Sequence, residues 1–175
     1  MVLRYLRADS AGVLNDFECG IQNMDTFIHS SLSSFLECNP RYRLDIVETD
    51  NHDIVGLIVT SAGGFVDYND EFHDYPNGKP WTYWNEEWGL KEAVRFPTLE
   101  IDYLAVRKDL RWNGIGTEIV AELSQRAKKT GCYFLTVDAY HDTKYTAIPF
   151  YEKCGFFALQ EYSEDSDSLR MALRL

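Results

Sequence analysis

Two carboxylates, Glu100 and Asp102, stand two residues apart in the apolar run 99–106. Side chains alternate along a strand, so both point to one side of it. Like charges held close raise the pKa of one partner, which can bring a carboxylate into the range useful for a general base. A second feature follows at once. The strand gives way to Arg111-Trp112-Asn113-Gly114-Ile115-Gly116-Thr117 and then to a helical pattern. A helix start offers unpaired N–H groups, and glycine lets an anion approach the backbone closely, so this turn can hold a pyrophosphate. Arg111 adds a fixed positive charge. A dinucleotide fold would want a third glycine, where Thr117 stands, and a nucleotide P-loop would want Gly-Lys-Ser/Thr. Neither is present. The two glycines by themselves equally suit a turn that only starts a helix, and the carboxylates equally suit a strand end that holds an arginine.

The elements that must position these residues can be read from periodicity. Residues 99–106 have strand length and β-branched content. Ile115, Ile119, Val120, Leu123 and Ala127 fall on one helical face, with Gly131 placed to end that helix. Upstream, residues 2–7 read as a strand and 17–20 as a turn. Asn23 is then predicted to cap a helix whose apolar face is Met24, Phe27, Ile28, Leu32, Phe35 and Leu36, stopped by Asn39-Pro40. Residues 43–48 and 54–60 form a hairpin. Residues 65–97 hold nine aromatics among acids without a regular pattern, and Asn85 is expected to cap a short helix running to about residue 94. Downstream come a strand at 133–139, a helix at 145–154 closed by Gly155, and a final hairpin of 156–159 with 169–175 around the acidic turn 164–167. The order is that of an α/β fold, a central mixed sheet flanked by helices, in a single domain over 1–175 with an aromatic-rich insertion at about 65–97 before the central strand.

Composition narrows the classes of function. The chain has 175 residues, 45% apolar content and 14% aromatic content, which suits a packed core. Cys19, Cys38, Cys132 and Cys154 are widely spaced with no C-x-x-C pair, which argues for reduced thiols, a cytoplasmic setting and no metal site. No signal-like or spanning apolar run is expected. The formal charge of −11 makes nucleic acid an awkward partner and would steer a cationic amine inward.

The fuller pattern is more specific. Leu104-Ala105-Val106, four residues, then Arg-x-x-Gly-x-Gly resembles motif A of the GNAT superfamily of acyl-CoA-dependent N-acetyltransferases. About thirty residues on, Ala147-Ile148-Pro149-Phe150-Tyr151-Glu152-Lys153-Cys154-Gly155-Phe156 resembles its motif B. The resemblance covers residues 1–62 and 98–175. It implies the GNAT fold and acetyl-CoA as acyl donor, with Leu104, Ala105 and Val106 offering backbone groups to the pantetheine arm and thioester. Arg111, Gly114 and Gly116 would shape the pyrophosphate turn, and Trp112, Asn113, Ile115 and Thr117 would add backbone N–H groups. Glu100 matches the position of the family's catalytic glutamate, Asp102 would serve beside it as second base or amine holder, and Tyr151 matches the tyrosine that protonates the departing thiolate. A base is useful because only about one lysine-like amine in 2,500 is neutral at pH 7.

The implied acceptor is a primary amine of a small molecule, peptide or protein. Phe17-x-Cys19-Gly20 followed by Met24-Asp25-x-Phe27-Ile28 resembles the opening of the GNAT branch that includes tRNA-acetylating toxins, so aminoacyl-tRNA stays open as an acceptor, and with it an antitoxin partner. A non-catalytic acyl-CoA-binding module is the third reading, and a homodimer is left open. The aromatic insertion is expected to form either a lid beside the acceptor cleft or an oligomer interface.

Overall fold

The computed structural model describes residues 2–67, 79–85, 89–159 and 166–175. Its backbone is an eight-stranded sheet. The strands are β1 (Leu3–Arg7), β2 (Arg43–Thr49), β3 (Ile54–Asp67), β4 (Lys79–Asn85), β5 (Gly89–Val106), β6 (Phe134–Tyr140), β7 (Phe157–Ala158) and β8 (Ser168–Arg174). The order across the sheet is β1-β2-β3-β5-β6-β8-β7, with β4 beside the first part of β5. Among the described residues the β5–β6 pair is parallel and the other pairs are antiparallel. The expected mixed α/β architecture is therefore the observed one.

Helices cover both faces, which is what lets β2 bury five consecutive residues. On one face α3 (Ile115–Lys129) buries Ile115, Ile119, Val120, Leu123 and Ala127, the five residues its periodicity nominates. The first four meet Val47, Ile58, Ile101, Leu135 and Val137 of the sheet, joined there by Tyr151 of α4 (Ile148–Lys153). On the other face α1 (Gln22–Ser30) and α2 (Leu32–Cys38) pack Ile28 and Leu32 over Leu44, Ile46, Leu57 and Val59.

Four local expectations are corrected. The first helix is two, because the polar stretch His29-Ser30-Ser31 breaks at Ser31 (φ −127°), although both halves keep their apolar face on the sheet. Asn23 is not its cap; the cap position is Ile21 and carries no side-chain bond. Asp25 in its first turn instead holds the preceding turn, accepting from the N–H of Cys19 at 2.7 Å and of Gly20 at 3.0 Å. Residues 85–94 are strand and turn, not helix: Asn85 ends β4 opposite Gly89, and β5 runs on to Val106. Asn and Gly suit a turn as well as a cap, and the antiparallel pairing of β4 with the first part of β5 decides between them. The motif B helix also begins later than read, at Ile148. Trp88, the lid built on the aromatic side chains of the insertion, and the acidic residues Glu164 and Asp165 lie outside the described residues.

Candidate active site

The site begins as a defect in β5. Thr60 of β3 pairs with Ile101, but the next residue back, Val59, pairs with Tyr103. Asp102 is left over as a β-bulge, and the bulge reverses the side-chain alternation. Ile101 and Leu104, three residues apart, consequently share the α3 face, while Tyr103 and Ala105 face α1 and α2. The parallel pairing of β5 with β6 stops at the same place, at Ile101 and Val137. Beyond it the strands diverge, and residues 102–106 present an edge with no strand beside it among the described residues. A cavity of about 330 Å³ fills the gap, lined by Asp102 and Leu104 from β5, Asp138 and Tyr140 from β6, Met24 and Phe27 from α1, and Tyr145 and Tyr151 around α4.

The two carboxylates, grouped together by their spacing, have different surroundings. Glu100 accepts from Arg170 Nη1 at 2.6 Å, and the same guanidinium reaches Asp138 at 3.1 Å. Its carboxylate lies over Gly63, where an added Cβ would come within 2.9 Å of Oε2. Glu100 does not line the cavity, whereas Asp102 does. Asp102 Oδ2 is buried with no hydrogen-bond partner. Burial pushes the Asp102 carboxyl up to about 6, and the neighbouring Glu100 charge adds to the rise; a bond donated by Ser61 and the charges of Arg41 and Arg170 oppose it.

Tyr151 is buried, its ring edge-on to Phe150 (4.9 Å) and Phe156 (5.2 Å), yet it also forms part of the cavity wall. Packing and a place in the cavity wall are not alternatives here. Burial holds its hydroxyl well above the usual phenol range, so it stays protonated.

The turn before α3 has the features that its glycines suggested. Gly114 sits at the cap position with φ +83°, and Trp112 is left-handed too (φ +67°) and 93% exposed. The first N–H groups of α3 lack helical acceptors by construction. Arg111 lies beneath, donating to the Cys19 carbonyl at 3.4 Å and standing over the Tyr145 ring at 5.4 Å. Gly116 is needed for packing: a Cβ there would lie 3.1 Å from the Phe150 ring, so the turn and the motif B helix touch at this point. Leu104, Ala105 and Val106 lead into this turn along the open edge of β5. The opening turn 17–20 docks against it through the Lys108–Glu18 ion pair and the Lys108 N–H bond to the Glu18 carbonyl.

Several contributors carried no local signal. Arg170 comes from β8, and Asn23 Nδ2 meets the Tyr140 hydroxyl at 3.1 Å, which in turn donates to Asp142 at 2.7 Å. Asp142 also accepts from the N–H groups of Lys144 and Tyr145, both at 2.7 Å, shaping the loop that aims Tyr145. These contacts span up to 117 positions in sequence. Among the described residues no cluster of three His, Cys, Asp or Glu side chains is arranged to hold a metal ion.

The sequence profile of the Acetyltransferase (GNAT) family matches residues 16–156, a span that includes the bulged strand, the glycine turn and the motif B helix. The chain belongs to that family. Among curated relatives it is similar to the uncharacterized N-acetyltransferase YvbK of Bacillus subtilis (strain 168), 27% identical over 137 residues that cover 71% of this chain and 86% of the relative. Among solved structures it is similar to AtaTR bound with AcCoA, at 20% identity and TM-score 0.64 over 97% of this chain and 93% of that one. A third likeness is to AtaT complexed with acetyl-methionyl-tRNAfMet, at 20% identity and TM-score 0.63 over 97% and 94%. At such identity these two likenesses establish the fold, and the GNAT acetyltransferase fold is what they share with this chain.

Proposed function

We propose that the protein transfers an acetyl group from acetyl-CoA to a primary amine, with Asp102 as the base. The observation that carries this reading is the bulged Asp102, whose unpartnered oxygen stands in the cavity that Tyr151 also lines. The glycine turn 111–117 would hold the pyrophosphate, with Arg111 beneath it, and the open edge at Leu104, Ala105 and Val106 would offer N–H groups to the thioester carbonyl. Asp102 takes one proton from the ammonium. The freed nitrogen attacks the carbonyl carbon and a C–N bond forms. As the tetrahedral intermediate collapses, the C–S bond breaks and its electron pair goes to sulfur. Tyr151 gives the sulfur its proton and recovers one from the positively charged nitrogen of the intermediate. The amide leaves with free coenzyme A and a protonated Asp102. Glu100, first in rank on sequence position, becomes in this scheme the charge that, with Arg170, sets the basicity of Asp102.

Release of free thiol from acetyl-CoA in the presence of an amine panel tests the reading. Amine-dependent release that disappears in Asp102→Asn is expected. Tight acetyl-CoA binding without release for any amine would instead identify a binding module. A second reading, acetylation of an aminoacyl-tRNA, is favoured by the Phe17-x-Cys19-Gly20 opening and opposed by the formal charge of −11. Adding charged tRNA to the panel separates the two.

A further inference from the structure

The cavity is lopsided in charge. Asp102 and Asp138 enter from its two strands, and among the described residues that line it there is no lysine, arginine or histidine. Asp138 already has Arg170 at 3.1 Å. Asp102 accepts from Ser61 and feels the charges of Arg41 and Arg170, but its Oδ2 is buried with no hydrogen-bond partner, and that oxygen is the one an ammonium would meet. The facing wall is of another kind: Ile21, Met24 and Phe27 at the start of α1, with Phe27 stacked on Tyr103 at 4.3 Å.

Resting on the acetyltransferase reading, we infer that the acceptor is a primary ammonium borne on an apolar body with no carboxylate beside the nitrogen. The ammonium supplies the partner that Asp102 Oδ2 lacks, and the body covers the α1 wall. A carboxylate on the adjacent carbon would be carried into a cavity already lined by two carboxylates and, among the described residues, by no cation to receive it. A second ammonium further along the molecule, as in a polyamine, would be set against Met24 and Phe27 without a partner. Free amino acids and polyamines are thereby disfavoured. An arylalkylamine and the N-terminus of a peptide that begins with an apolar residue both have the required chemistry.

Titration calorimetry on the full chain saturated with coenzyme A, at pH 7, tests this without turnover. The probes are 2-phenylethylamine, phenylalanyl-glycinamide, phenylalanine and spermidine. The first two should bind about 30-fold or more tighter than the last two, given the penalty on like charges in a desolvated site. Whichever of the first two binds better identifies the source of the amine, and either order supports the inference. Asp102→Asn should weaken 2-phenylethylamine by about tenfold or more, as loss of a charge-assisted contact does, with coenzyme A affinity retained as the sign of a folded protein. Met24→Lys, which sets a cation on the apolar wall, should weaken the amine and admit phenylalanine. Equal binding of phenylalanine and 2-phenylethylamine, tighter binding of spermidine, or no effect of Asp102→Asn overturns the inference. Tight amine binding with no acetylation from acetyl-CoA would sink the acetyltransferase reading and leave the ligand class standing. Acetylation of phenylalanine as fast as of 2-phenylethylamine would do the opposite.

Discussion

At the scale of single residues the protein turns on the unequal treatment of two acids. Asp102 must be ionised to take a proton, so kcat/KM should climb with pH through about 6 and level off. The groups that face it are Ser61 on β3, Glu100 on its own strand, Arg170 on β8 and Arg41. Asp102→Asn should flatten that limb and lower the rate by roughly 10²–10⁴-fold. Glu100→Gln should leave activity and move the limb to lower pH, since a like charge that raises the Asp102 pKa has gone. Loss of activity in Glu100→Gln with Asp102→Asn unaffected would restore Glu100 as the base.

The same shift has a consequence for stability. A carboxyl whose pKa is raised by folding stabilises the protein fully below its unfolded value, near pH 4, and that contribution is lost as pH rises through about 6. Asp102→Asn should therefore melt higher than wild type at pH 7–8, with the gap closing below pH 4. Calorimetry across that range decides it; a variant that melts lower at pH 8 would mean the ionised side chain is well accommodated. Tyr151→Phe is the complementary case. It removes the hydroxyl and keeps the ring against Phe150 and Phe156, so kcat should fall while acetyl-CoA affinity holds. Full kcat in that variant would mean the thiolate leaves without the phenol.

At the scale of elements, the coupling between the glycine turn and the motif B helix is the testable feature. Gly116 and Phe150 touch, and Phe150 precedes Tyr151. A methyl group at position 116 must push the ring, and the helix with it. Gly116→Ala should lower both acetyl-CoA affinity and kcat, and Phe150→Leu in the same chain should recover part of the loss. A double-mutant cycle measures the coupling, with about 0.5–3 kcal/mol expected for residues in contact. Strict additivity would show that the two elements act separately. Elsewhere α3 is tied to the sheet by Asp45, a buried carboxylate on β2 held by Arg126 at 3.0 Å and Arg43 at 2.8 Å. Breaking a buried pair leaves an uncompensated charge, so Arg126→Ala should cost about 3–5 kcal/mol of unfolding free energy, less whatever Arg43 retains. Urea denaturation gives the figure.

At the scale of the molecule, the formal charge of −11 acts on encounter. A cationic acceptor is drawn in and salt screens the attraction, so its kcat/KM should fall several-fold as ionic strength rises from about 0.02 to 0.5 M. A tRNA acceptor would be repelled by the same surface and should gain from added salt over the lower part of that range. The direction of the salt effect therefore distinguishes the two acceptor classes independently of any single residue.

Periodicity and spacing by themselves determined the frame. The five buried residues of α3, the apolar face that α1 and α2 share, the glycine turn and the motif B helix were all legible, because each rests on interactions between residues a few positions apart. Residues 85–94 were misread for the same reason: Asn85 fits a cap or a turn locally, and only the pairing of β4 with β5, from Asn85–Gly89 back to Lys79–Arg95, chooses. The site itself was half legible. Glu100, Asp102 and Tyr151 could be named, with Glu100 ranked first as the base, but nothing local marked Asp102 as the carboxylate that lines the cavity. Their ranking depends on one unpaired residue in the β3–β5 register, on a cavity opened where β6 diverges, and on an arginine 70 positions away that claims Glu100. Burial and ion pairing are properties of the packed sheet, and tertiary structure alone decides which of two neighbouring carboxylates keeps an unpaired oxygen.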